Sequence, residues 1–164
     1  MQGKHFILVL DDFQQVCEKD REVAEMFTVG SHHLNFTLIY LCHNIFSKGC
    51  FSRLINLNSH YNILFRNNRD ILQVQTLGRQ IFGKQCSYFM DAYNKATSLP
   101  WGYILINLHP KTRQNTYKLI THIIPGEMTN VYLPRNEPIN WMEELNSSTH
   151  EPGQHKEQHG EFVL

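Results

Sequence analysis

"HFILVLDDFQQV", His5 to Val16, decides how the rest of the chain is read. An unbroken apolar run from Phe6 to Leu10 ends in two adjacent carboxylates, Asp11 and Asp12, and apolar Phe13 follows at once. A short aliphatic run with no polar face predicts a strand covered on both sides. Strands of that kind belong to parallel sheets, where ligands collect beyond the carboxyl ends. The acid pair is therefore expected at the mouth of a ligand site.

The periodicity downstream supports the same architecture. Residues 19–28 have helical composition, with Val23, Met26 and Phe27 at helical spacing and Gly30 as a stop. "FTLIYLC", 36–42, and "YNILF", 61–65, read as further apolar strands, the first ending near His43 and Asn44. Residues 69–82 place Ile71, Val74, Leu77 and Ile81 on one helical face, with Asp70 near the start. A second helix opens at Ser87, turns Phe89, Ala92, Tyr93 and Ala96 inward and stops before Pro100. "GYILINL", 102–108, and "YKLITHII", 117–124, are the remaining strands. Alternating strands and helices predict an α/β fold with a mostly parallel sheet and flanking helices. From Pro125 the periodicity fades. Residues 128–164 are expected to form a mostly disordered tail, because this polar stretch buries too little to offset ordering.

Composition bounds the function. Fifteen basic and fifteen acidic residues cancel, so the chain exerts no long-range attraction on nucleic acid or anionic membranes. The four cysteines form no CxxC pair and read as reduced thiols. The ten histidines read as surface or hydrogen-bonded side chains rather than as a metal site. No apolar run approaches membrane-spanning length, and no signal peptide is evident. These features predict an intracellular protein, in cytoplasm or nucleus, that is not secreted and not in a membrane.

Three chemistries compete for the acid pair. A Walker B strand carries one acid toward a nucleotide-bound Mg²⁺, and the next acid orients or deprotonates water. A phosphoacceptor receiver domain also begins with two acids, but it needs a later strand ending in Asp, and here the strands end in "LCHN" and "LFRN". A bland loop or helix cap is the third reading.

Context favours the first. The block "MFTVGSHHLNFTLIYLCHNIF", Met26–Phe46, followed by "LINLNSHYNILFRNNRD", "QTLGRQIF", "AYNKATSLPWGYILINLHP" and "IIPGE", resembles FtsK–HerA-type DNA-packaging ATPases. The branch it resembles is the one found in Maverick/Polinton elements, poxviruses and related large DNA viruses. The resemblance runs from about Phe6 to Glu127. It implies a partial P-loop NTPase core over residues 1–127, the C-terminal part of such a domain, with Mg²⁺ and ATP as cofactors of the intact family member. It implies Asp11 as the Mg²⁺-linked acid and Asp12 as the catalytic acid. His43-Asn44 stands where the family usually carries a Gln-Asn pair that senses the γ-phosphate. Arg69 and Arg79 match family arginines able to act as a finger on a neighbouring subunit, against the plainer reading of a helix-surface ion pair. DNA, capsid components and a homo-oligomeric ring are partners by resemblance alone.

A P-loop ATPase needs GxxxxGK[ST] ahead of its Walker B strand. Only ten residues precede Asp11, and none form that loop. "GRQIFGKQ", Gly78–Gln85, is a decoy: it follows the acid pair, lies in a helical pattern and ends in Gln85 rather than a hydroxyl. The 164-residue chain alone is thus expected to bind ATP poorly or not at all. It reads as a truncated copy or one piece of a split protein, with apolar surface exposed on one face of its sheet. The alternative is a non-catalytic interaction module, a pseudo-ATPase half-domain that binds a full-length partner.

Overall fold

The structure, a computed structural model, describes residues 5–30, 35–112, 117–134 and, as backbone, 162–163. Strand β1, Phe6–Leu10, runs into two short helices, α1 (Gln14–Cys17) and α2 (Arg21–Glu25). The Asp20 carboxylate caps α2 by accepting from the N–H groups of Glu22 and Val23. A π-helical turn over Met26–Gly30 continues it, so Gly30 is the last described residue of this segment. Strand β2 is Phe36–Tyr40, and helix α3, Ser52–Asn58, leads to β3, Tyr61–Phe65. Helix α4 is Ile71–Phe82, with Asp70 as its N-cap, and α5 is Cys86–Ala96. Strands β4 (Tyr103–Asn107), β5 (Leu119–Thr121), β6 (Asn130–Val131) and β7 (Phe162–Val163) complete the order.

All seven strands form one sheet, ordered β1-β2-β7-β3-β4-β5-β6. The fold is α/β, as expected, but the sheet is mixed rather than mostly parallel. β1, β2, β7 and β3 run parallel, whereas β4, β5 and β6 each pair antiparallel with their neighbours. The reason lies in the connections. One helical crossover returns a chain to the start of a parallel strand. Between β3 and β4 there are two helices, α4 and α5, folded back on each other through a 3₁₀ turn at Gly83–Gln85. That helical hairpin ends where it began, beside the carboxyl end of β3, so β4 runs back antiparallel.

Two apolar clusters hold the layers. Val74 and Leu77 of α4 and Phe89, Ala92, Tyr93 and Ala96 of α5 pack on Ile104, Ile106 and Leu119. The α5 face is the one its spacing predicts. Phe82 and Phe89 stack at 5.1 Å across the hairpin. Gly78 faces this contact: an added Cβ would run into the Phe89 ring, so the glycine sets the approach of the two helices. The decoy loop is thereby placed inside α4 and its turn. The second cluster joins Cys17, Phe27 and Ile55 to Leu38 and Tyr40 of β2.

The expectation that β1 is a buried strand does not hold. It is the outermost strand of the sheet, and Phe6 and Ile7 are 64% and 65% exposed. Because successive side chains point to opposite faces, apolar surface is open on both faces of β1, not on one. The tail drawn from residue 128 lies largely outside the described residues; its described parts carry β6 and β7.

Candidate functional site

β1 and β2 pair in parallel, with Leu10 opposite Tyr40. The chain therefore leaves both strands at the same end of the sheet, and Asp11, Asp12, His43 and Asn44 all lie there. Asp12 has φ 57°, in the left-handed region that side chains with a Cβ seldom occupy. Aspartate tolerates that region better than most residues. Both carboxylates are exposed, and among the described residues neither has a hydrogen-bond or ion-pair partner.

The β2 loop is held by three amide side chains. The Gln14 carbonyl oxygen accepts from the backbone N–H of His43 at 3.0 Å and of Asn44 at 3.3 Å. Its NH₂ donates to the Asn44 carbonyl and to the Glu18 carboxylate. One residue on, the Ile45 N–H donates to Gln73 of α4 at 2.9 Å, and Asn56 of α3 donates to the Ile45 carbonyl. The Asn44 side chain accepts from the Phe46 N–H, which closes a local turn. The loop after the acid pair and the loop after β2 are thus one hydrogen-bonded unit.

Beneath that unit Glu18 is 6% exposed. It accepts from Gln14, from the Tyr40 hydroxyl and from Ser47. Among the described residues no cation pairs with it. Burial first, and then the Glu18 carboxylate, pushes the Tyr40 phenol far above its ordinary range and the Cys42 thiol up to about 11. Cys42 therefore stays a thiol at neutral pH and is not a nucleophile.

A cavity of about 870 Å³ opens between the carboxyl ends of β2 and β3. His43 and Asn44 line one side, and Asn67, Asn68, Arg69 and Asp70 line the other. The second wall is built locally. Asn67 accepts from the N–H groups of Arg69 and Asp70, and Asp70 then caps α4. The guanidinium of Arg69 has no partner among the described residues.

Of the six predicted site residues, three meet at this cavity: His43, Asn44 and Arg69. Asp11 and Asp12 lie one strand away, at the same end but not in its wall. Arg79 is exposed on α4 and does not line it. Neither arginine forms a salt bridge among the described residues. Gln14, Asn56 and Gln73, which reach backbone groups, and Glu18, which accepts from the side chains of Gln14, Tyr40 and Ser47, carry no signal in the sequence, because their partners are distant in the chain and meet only on folding.

Among the described residues no three His, Cys, Asp or Glu side chains gather as a metal site. Mg²⁺ does not need such a group: it binds through one or two carboxylates and keeps its waters or takes phosphate oxygens. Exposed, unpaired Asp11 fits that role. A triphosphate is a different matter, because no glycine-rich amide cradle stands among the described residues. No family model, curated protein or solved structure matches the chain.

Proposed function

We propose that this chain is the Walker B-bearing part of an ATP-driven DNA-packaging motor of the FtsK–HerA type. In this reading Asp11 holds Mg²⁺, and Asp12 accepts a proton from, or orients, the attacking water. His43 and Asn44 face the terminal phosphate, and Arg69 supplies positive charge to it from the opposite wall. ATP binds only when a GxxxxGK[ST] segment joins the site from elsewhere in a longer chain or from a partner. DNA and capsid components are the motor's substrate and docking partners.

The observation that carries the reading is the common end of two adjacent parallel strands, where the acid pair and the His43-Asn44 pair emerge beside a cavity. The test is binding of a fluorescent ATP analogue with Mg²⁺, by the chain alone and mixed with a peptide carrying an apolar strand, GxxxxGK[ST] and a helix. The expected result is no binding alone, micromolar Mg²⁺-dependent binding in the mixture, and loss of it in Asp11→Asn. Micromolar binding by the chain alone, or a mixture in which Asp11→Asn changes nothing, overturns the reading.

A second reading, a non-catalytic module that binds a full-length ATPase, draws support from the exposed apolar strand β1. Co-purification with a complete ATPase that is unaffected by Asp11→Asn favours it.

A further inference from the structure

We propose that the space between β2 and β3 is a strand-acceptor slot, held by residues 162–163 as a placeholder and filled by the apolar strand that leads into the GxxxxGK[ST] segment. The identity of the incoming strand rests on the nucleotide reading above; the slot itself rests on the pairing of the sheet.

β7 is out of proportion to its place. It lies inside a seven-stranded sheet, yet it spans two residues where β2 and β3 on either side span five. Among the described residues β2 and β3 do not pair with each other, so β7 alone joins the β1-β2 pair to the β3-β4-β5-β6 ladder. Its partners are Ile39 and Tyr40 on one side and Tyr61 and Asn62 on the other, both in parallel. The same register carried both ways sets three further positions beside residues 36–38 of β2 and three beside residues 63–65 of β3. A strand that used both edges in full would have eight residues: three before β7, its two, and three after.

The backbone of both neighbours is turned toward the slot. The Phe6 N–H donates to the Asn35 carbonyl and the Leu41 N–H to the Leu10 carbonyl, so by alternation Phe36, Leu38 and Tyr40 turn their backbone groups away from β1. The Leu108 N–H donates to the His60 carbonyl, so Tyr61 and Ile63 turn theirs away from β4. The resident sequence suits this place poorly. Interior parallel strands are near-continuous apolar runs. Phe162 and Val163 meet that need, but His159, Gly160 and Glu161 precede them. Lengthening β7 beside Phe36 and Leu38 would set a glycine and a charge in an interior strand, where both are disfavoured. An apolar strand has no such limit and gains ladder hydrogen bonds with each added residue, the physics by which a sheet captures a peptide by strand addition.

Direction selects the occupant. A parallel strand in the slot leaves the sheet at the carboxyl ends of β2 and β3, into the cavity walled by His43, Asn44 and Arg69. Residues 63–65 of β3 line that cavity, so the three positions after Val163 run along its wall. Any loop that follows the strand emerges among those side chains, at the end of the sheet that carries Asp11 and Asp12. A phosphate-cradling loop is one that follows an apolar strand directly.

The experiment uses the full chain and a dye-labelled peptide of strand, GxxxxGK[ST] and helix, without nucleotide, read by fluorescence anisotropy. Ile39→Cys with Phe162→Cys, in a Cys50→Ser background, sets two thiols on in-register neighbours about 4.8 Å apart, within disulfide reach. Oxidation should lock β7 within one chain and weaken peptide binding at least about tenfold, and reduction should restore it. Val163→Pro weakens the placeholder and should bind the peptide at least about tenfold tighter. A peptide whose loop glycines and lysine are replaced by serine should bind equally well, and one with a polar strand should not bind. Lock-sensitive peptide binding without uptake of ATP supports the slot and counts against the nucleotide reading; ATP uptake that the lock leaves unchanged overturns the slot alone. Affinity unchanged by oxidation or by Val163→Pro, no peptide binding at about 100 µM, a cysteine pair that stays reduced, or a disulfide between two chains rather than within one each overturns the proposal. The oxidation result decides the matter if Val163→Pro fails to fold.

Discussion

The side-chain oxygen of Gln14 accepts the backbone N–H of His43 at 3.0 Å, joining the segment after the acid pair to the loop after β2. Four hydrogen bonds from one half-buried amide tie these loops together and to Glu18. Gln14→Ala removes them all. The expected loss is about 1–3 kcal/mol in urea unfolding, with faster amide exchange at His43 and Asn44 than elsewhere in the sheet. Uniform exchange across the sheet would show that the loops are held by other means.

Gly49 packs on Glu18 so closely that an added Cβ would overlap the Glu18 side chain. Glu18 is fixed by Gln14, Tyr40 and Ser47 and has no free direction in which to move. Gly49→Ala should destabilise the fold by about 1–3 kcal/mol, seen as a lower urea midpoint at unchanged slope.

Gly78→Ala is a sharper test of packing, because alanine favours a helix by about 1 kcal/mol over glycine. The Phe89 ring stands where the new methyl group would go, and it is fully buried. We expect overpacking to outweigh propensity and Tm to fall. A rise in Tm would mean that α4 and α5 can separate at low cost.

Asp12 holds a left-handed backbone conformation, which glycine adopts freely. Asp12→Gly should leave stability unchanged or raise it by up to about 1 kcal/mol, whereas Asp12→Ala should lower it. If the carboxylate serves in ATP hydrolysis, both variants lose turnover in the complemented assembly. Stability and activity then move in opposite directions for the glycine variant.

Cys42 gives a pH signature. Burial raises its thiol to about 11, above the ordinary value near 9. The unfolded chain loses this proton first, so the contribution is complete below pH 9 and disappears as pH rises toward 11. Thermal unfolding should show stability falling over that window by on the order of 2 kcal/mol more in the wild type than in Cys42→Ala. At pH 8, Cys42 should alkylate far more slowly than exposed Cys50.

Much of the architecture was legible because it is local. The strand at 61–65 and the helix over 71–82 follow from apolar spacing, and Asp70 as a helix cap follows from its place ahead of that run. The inward face of α5 was also plain, since Phe89, Ala92, Tyr93 and Ala96 repeat at helical intervals. Helix α3 leaves little trace in the sequence: Ser52–Asn58 mixes Leu54, Ile55 and Leu57 with Asn56 and Asn58, a weak pattern that tertiary contacts complete. At the site, the co-location of Asp11, Asp12, His43 and Asn44 was legible from two strand ends. The clamps by Gln14, Gln73 and Asn56 were not, because a side-chain amide bonded to distant backbone leaves no spacing in the sequence.

By itself, the amino-acid order determined where the two long helices and strands β1 to β4 form and that two acids close the first strand, since apolar periodicity and capping are properties of neighbouring residues. Only the tertiary structure decided the direction of the strands and the exposure of β1. Strand direction depends on whether a connection crosses the sheet or doubles back, as the α4–α5 hairpin does. Exposure depends on what lies alongside, and the run Phe6–Leu10 has the composition of a covered strand while standing at the edge. A side chain's partners are set by the whole fold, and hydrophobicity records only what the residue would prefer.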